Sequence, residues 1–275
     1  MSRKRIGCGI ITCNRAESFQ RLLRSLEGIN LNAIVIVNDG AEMASVVGAE
    51  VITNEFNLGV GRSKNKALKY LLEKGCDHIF LIEDDVYVKD CTVFDRYIEA
   101  SERSGIQHLN FSQHGNLNRK KSGAPKPIAR VVSGGAELDI YKHCVGAFSY
   151  YSRKCLGTVG LIDERYFNAL EHVDHTYEII KAGMHPSFWT FADIAESNEY
   201  IGDEAWSVEQ SNISSRADHE ASVVAALEIF RGKHGVVPSE IPMLGMDELI
   251  DQLDRIGRTL SCNEGLAGAS LLRTY

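Results

Sequence analysis

The sequence predicts an α/β fold, three layers deep around a mostly parallel central sheet, and three observations carry that expectation. The stretch Cys76 to Tyr87 holds an apolar run, Ile79 to Ile82, suited to a strand buried on both faces, and the run stops at Glu83, Asp84 and Asp85. Strand-like and helix-like periods then alternate from the amino terminus. Arg5 to Thr12 is β-branched and punctuated by glycine, whereas Phe19, Leu22, Leu23 and Leu26 recur at helical spacing. Polar residues also close the strands, with Asn38-Asp39-Gly40 after Asn32 to Val37 and Asn54-Glu55 after Glu50 to Thr53. The carboxyl edge of a parallel sheet is where ligands bind, so Thr12, Asn14, Arg15, Asp39 and Asp84 are expected to converge on one crevice, although Asn14 alone reads better as a turn or cap residue.

Size and composition bound the function. A chain of 275 residues with 44% hydrophobic residues has ample material for a core. Nothing approaches 18 consecutive apolar residues, and the start, Met1-Ser2-Arg3-Lys4-Arg5, does not lead into a signal peptide, so a soluble cytoplasmic chain with no membrane span is expected. Seven cysteines without a C-x-x-C pair suit small buried thiols better than disulfides or zinc. A net charge of −7 argues against nucleic acid as the acceptor without excluding it.

Further along, Asn57 to Ala67 is a glycine-containing loop leading into a helix through Leu72. It has no G-x-x-x-x-G-K-[ST], so it is no P-loop, yet Arg62 and Lys64 in the first turns oppose the helix dipole and are better placed for phosphate. Phe94, Tyr97 and Ile98 predict another helix, and Gln107 to Ser112 a strand. Residues 113–130 interleave Arg119, Lys120, Lys121, Lys126 and Arg130 with glycine and proline, which reads as a basic loop, either solvated or a mobile flap over an anion. Paired strands follow around Gly134-Gly135 and from Glu137 to Tyr151. Leu170 to His175 opens a helix that ends at Gly183 and puts Glu171, Asp174 and His175 on one face. A strand near Ser187 to Ile194 contains Asp193, and helices near 220–231 and 246–258 complete the tail.

Three adjacent carboxylates at a strand end need a counter-charge. Either Glu83-Asp84-Asp85 is a solvated acidic loop, or it holds a hard divalent cation, Mg²⁺ or Mn²⁺, that in turn holds a diphosphate.

Taken in order, these parts resemble the GT-A nucleotide-sugar glycosyltransferases, in particular the inverting family 2, over roughly residues 5–235. Ile10 to Arg15 is similar to that family's opening strand and Asn-Arg turn, and Val37 to Gly40 to its second strand with a nucleoside-binding acid. Asn57-Leu58-Gly59 through Lys64-Asn65 resembles its Asn-x-Gly … Arg-Asn segment, Glu83-Asp84-Asp85 stands where it carries Asp-x-Asp, and Val159 to Phe167 followed by Glu171 to Gly183 resembles its acceptor-side motif. The resemblance implies a GT-A (Rossmann-like) domain over 1–235. A nucleotide-binding half would span about 1–112 and an acceptor-binding half about 113–235, with a helical extension over 236–275.

It further implies a metal-dependent inverting hexosyl- or N-acetylhexosaminyltransferase, moving sugar from a nucleoside-diphosphate donor, UDP-sugar favoured, to a hydroxyl on a glycan or other acceptor. Thr12, Arg15, Asp39, Arg62, Lys64 and Asp84 would bind the donor. Asp85 would hold Mn²⁺ or Mg²⁺ with Asp193, or alternatively His219, as second ligand. Glu171, His172 and Asp174 are the candidates for the base, with Glu171 favoured narrowly because His172 stands where the family usually has aspartate. The alternatives are a sugar nucleotidyltransferase, which should show a glycine-rich basic loop after the first strand, and an inactive nucleotide-sugar-binding module.

Overall fold

The computed structural model describes residues 4–204, 217–259 and 268–275; Cys262 lies outside them. Strand β1 (Ile6–Thr12) runs parallel to β2 (Ala33–Asn38) on one side and to β4 (His78–Glu83) on the other, and β2 is flanked by β3 (Glu50–Thr53). Strand β9 (Phe148–Ser152) pairs antiparallel with both β4 and β6 (His108–Asn110), which gives the order β3-β2-β1-β4-β9-β6. All but β9 therefore point the same way, and the crossovers pass through helices that cover both faces.

The β4 sequence shows why. Phe80 and Ile82 pack with Phe19, Leu22, Phe94 and Tyr97, whereas Ile79 and Leu81 pack with Ala67, Leu68 and Leu71, so successive residues serve opposite cores. The first core is covered by α1 (Ala16–Ser25) and α3 (Val93–Ser104), the second by α2 (Val60–Glu73). Glycines in β1 let α2 approach: a Cβ on Gly9 would stand 2.8 Å from that of Ala67.

A second, antiparallel sheet has the order β10-β8-β7-β12, from β7 (Ala129–Ser133), β8 (Ala136–Tyr141), β10 (Phe191–Ile194) and β12 (Ser270–Thr274). The β7–β8 hairpin turns on Gly134 and Gly135 at φ 58° and 82°, a pair of positive angles that a two-residue hairpin turn demands. A small ribbon of β5 (Val86–Val88) and β11 (Ile201–Asp203) starts directly after the carboxylates of β4. Helices α4 (Arg153–Val159), α5 (Glu171–Lys181) and α6 (His219–His234) follow β9, and α7 (Met246–Arg258) buries Leu249, Leu253 and Ile256. The C-terminal stretch thus contributes β12 to the second sheet as well as a helix.

Candidate active site

A cleft of about 920 Å³ opens at the carboxyl edge of the parallel strands, a size within the range of small-molecule sites. Its floor is the turn after β4. The Asp84 carboxylate accepts the Thr12 hydroxyl at 2.7 Å and pairs with Arg15 Nη1 at 3.2 Å. Burial still pushes Asp84 up to about 7, with the neighbouring Asp85 adding to it. Asp85 goes the other way. Burial opposes its charge, but His114 and Arg15, at 3.4 and 3.2 Å from Oδ2, outweigh that and hold it at about 2. Its second oxygen, Oδ1, is buried without a hydrogen-bond partner.

Asp39, at the end of β2, also lines the cleft, but its carboxylate is already engaged. It accepts the Leu58 and Gly59 amides at 2.7 and 2.9 Å and the Asn54 side chain at 2.7 Å, and so fixes the loop that opens α2. The opposite wall comes from the start of α5. Leu170 precedes that helix in the left-handed region, φ 61°, and turns Glu171 and His172 into the cleft. Glu171 is buried, yet Lys64 at 3.2 Å and His172 Nδ1 at 3.1 Å outweigh the burial and hold it below the usual carboxylate range. Lys64 also pairs with Glu83 at 2.7 Å and donates to the Gly146 carbonyl at 3.2 Å.

The structure therefore brings Thr12, Arg15, Asp39, Asp84, Asp85, Glu171 and His172 to one cleft, and it leaves four expected site residues outside the lining. Arg62 lies on the exposed face of α2. Lys64 is 2% exposed and is paired with Glu83 and Glu171 beneath the cleft rather than lining it. Asp174 points away from the cleft to α6, where Lys233 and His234 hold it at 2.7 Å each, and Tyr166, before α5, donates to it at 3.1 Å; it does not line the cleft. Asp193 corrects the expected metal set. It is fully buried at 0% exposure and accepts from Tyr97 Oη, Ser197 Oγ and the Ser112 and Ile194 amides at 2.6, 2.6, 3.0 and 2.8 Å. Four donors saturate its carboxylate inside the core. The alternative ligand, His219, begins α6 and does not line the cleft.

Three residues absent from the sequence reading complete the acidic floor. His114 stands 3.4 Å from Asp85 and 3.4 Å from Asp203, and these carboxylates, against the opposing effect of burial, raise its imidazole to about 10. Glu204 receives Arg15 at 2.9 Å, together with Arg21, and its amide donates to the Asp85 carbonyl at 3.0 Å. The one available signal was a histidine-glycine pair opening the basic loop. Of that loop's cations, Arg119 is bound to Asp203 at 2.6 Å, and Arg130 belongs to β7, where Asp139 takes it at 2.7 and 2.9 Å. Among the described residues, the three acid and imidazole groups close enough to share an ion are Asp174, Glu178 and His234, and Lys233 Nζ already stands among them. No described helix is long and apolar enough to cross a membrane.

No family model matches the sequence. A curated relative, an uncharacterized glycosyltransferase of Acanthamoeba polyphaga mimivirus, is 26% identical over 168 residues, 60% of this chain and 61% of the relative's length. Solved structures agree in fold at low identity. TarS of S. aureus matches with TM-score 0.52 at 12% identity, over 92% of this chain and 70% of that one. The mannosyltransferase PcManGT of Pyrobaculum calidifontis, solved with GDP-Man and Mn²⁺, gives 0.50 at 12% identity over 95% and 71%. Glucosyl-3-phosphoglycerate synthase of Mycobacterium tuberculosis, solved with Mn²⁺ and UDP, gives 0.52 at 11% identity over 87% and 83%. With its five like-directed strands, its acidic turn after β4 and these matches along nearly its whole length, the chain has the GT-A glycosyltransferase fold.

Proposed function

We propose that the chain is a divalent-cation-dependent inverting glycosyltransferase that binds a nucleoside-diphosphate sugar in the cleft and passes the sugar to an acceptor hydroxyl. The observation that carries the reading is the meeting in one cleft of Asp84-Asp85, from the end of β4, with Glu171-His172, from the start of α5. A binding module needs the first pair only.

Asp85 fits a divalent cation: it is ionised, and its Oδ1 is a buried oxygen without a donor. A cation held there, with His114 beside the other oxygen, would offset the negative charge that develops on a departing diphosphate. Arg15, charged and within 3.2 Å of both aspartates, supports the same end of the cleft. For the acceptor, His172 is the better base. Glu171 is pinned to Lys64 and poor at taking a proton, whereas a Nδ1–H donated from His172 to Glu171 at 3.1 Å leaves Nε2 as the acceptor. Glu171 is then the positioning residue. That the mimivirus relative is named a glycosyltransferase, and that two of the structural neighbours were solved with Mn²⁺ and nucleotide, supports this reading.

The test is release of nucleoside diphosphate from UDP- and GDP-sugars without acceptor. Release that needs Mn²⁺ or Mg²⁺ and disappears in His172→Asn with Glu171→Gln is expected. Release of pyrophosphate from sugar phosphate and NTP would instead identify a nucleotidyltransferase.

A further inference from the structure

Two walls of the cleft continue into a basic corner. His114 to Leu117 line one wall and Cys144 and Val145 another. Asn118, next to the first, and His143, next to the second, are joined: Asn118 Nδ2 donates to the His143 carbonyl at 2.8 Å, and the His143 amide donates to Asn118 Oδ1 at 3.2 Å. The Lys126 amide donates to the Asn118 carbonyl at 2.8 Å, so Lys126 and Lys142 flank the same point. Burial first, then these two lysines, hold the His143 imidazole below its ordinary range. Arg119 and Arg130 have carboxylate partners, but Lys126 and Lys142 are not ion-paired among the described residues. In a chain of net charge −7, two lysines without a carboxylate partner beside the cleft make a local positive potential that favours an anion.

Trp189 completes the corner. Lys142 Nζ stands 5.9 Å from its ring centre, His143 meets it edge-on at 6.2 Å, and its indole N–H donates to the Ile241 carbonyl at 2.7 Å. Its φ of 68° is a conformation that a bulky side chain keeps only when its surroundings hold it, and such positions cluster at ligand sites. A rigid aromatic face beside Lys142 and His143, with Lys126 also close to His143, suits a sugar that carries an anion.

We propose that the acceptor bears a phosphate or carboxylate, and that Lys126, Lys142 and His143 bind this group beside Trp189 at the end of the cleft. The proposal rests on the transferase reading and names the acceptor's chemistry. In the experiment, calorimetry measures glucose 6-phosphate, glucuronate and glucose binding to the full chain saturated with UDP or GDP and Mn²⁺. Expected is binding of at least one of the two anions roughly three- to tenfold tighter than glucose, and the preferred anion identifies the group. Lys126→Ala with Lys142→Ala should remove that preference while nucleotide affinity stays the same, and Trp189→Ala should weaken all three sugars. Equal binding of charged and neutral sugars, or a preference that survives the double substitution, overturns the proposal alone. A single-stranded RNA oligonucleotide that binds more tightly than either anion and loses that binding in the double variant would assign the corner to nucleic acid and also overturn it. Failure of both nucleotides to bind contradicts the transferase reading and takes this proposal with it.

Discussion

Lys64 Nζ stands 3.2 Å from Glu171 Oε1, deep enough that the lysine is 2% exposed. The contact makes one charge network of helix α2, the end of β4 through Glu83, and the start of α5, and it sets the Glu171 oxygen that faces His172. Removing the lysine would leave two acids without their cation, one of them buried. Lys64→Met should therefore destabilise the protein by about 3–5 kcal/mol in chemical denaturation. A variant of native stability that had lost only donor affinity would show that Lys64 serves the phosphates instead.

The base assignment has a pH signature. Asp85, held at about 2, and Glu171, held lower than an ordinary carboxylate, are both ionised throughout the working range. Both are depressed groups, so the stability they contribute is present above the unfolded carboxylate pKa and is lost only as pH falls toward 2. An acid limb of kcat/KM in the imidazole range, roughly pH 5 to 8, must then come from elsewhere. The base itself is one source, and among the carboxylates lining the cleft Asp84, which burial pushes up to about 7, is another. His172→Asn should lower kcat by about 10²–10⁴-fold and abolish the limb, whereas Asp84→Asn should retain it. Loss of the limb only in Asp84→Asn would contradict the assignment.

Asp193 should behave as a structural residue. An asparagine there would direct an NH₂ at two of the four donors that now meet the carboxylate, so Asp193→Asn should cost about 2–4 kcal/mol of stability. Its Mn²⁺ affinity in the presence of nucleotide, measured by calorimetry at a temperature where it is folded, should equal that of the parent protein.

The parallel edge was legible because β1, β2 and β4 are apolar runs ended by polar residues, a pattern that backbone geometry alone converts into a crevice. What sequence could not supply was the direction of each charged side chain. Asp193 looks the same in a strand whether it faces a metal or a tyrosine, and only the approach of Tyr97 and Ser197, 96 and 4 residues away, decides it. Lys64 sat at a helix start, where phosphate binding is a sound prior, but Glu171, 107 residues on, had already claimed it. His114 was hidden in a loop whose glycines and cations gave no period to read, and β12, exposed along its length, lacks the buried alternation that marks a strand.

Gly59 is the tightest point of the loop that opens α2. Its φ is 85°, and a Cβ there would stand 2.3 Å from the Phe167 carbonyl oxygen, which accepts the Val60 amide at 3.1 Å. Gly59→Ala should cost roughly 1–3 kcal/mol and weaken nucleotide binding, because Asp39 holds the same loop. Thermal unfolding with and without nucleotide reads both effects; an unchanged melting temperature would contradict the geometry.

The most direct measurement is calorimetric titration of UDP and GDP into the protein with Mn²⁺ and with EDTA, repeated on Asp85→Asn. At least one nucleotide should bind, EDTA should weaken it by at least about tenfold, or about 1.4 kcal/mol, and Asp85→Asn should reproduce the EDTA result while unfolding like the parent protein. Nucleotide binding that is equally tight in EDTA and in Asp85→Asn, or no binding of either nucleotide under any of these conditions, would contradict the proposed function.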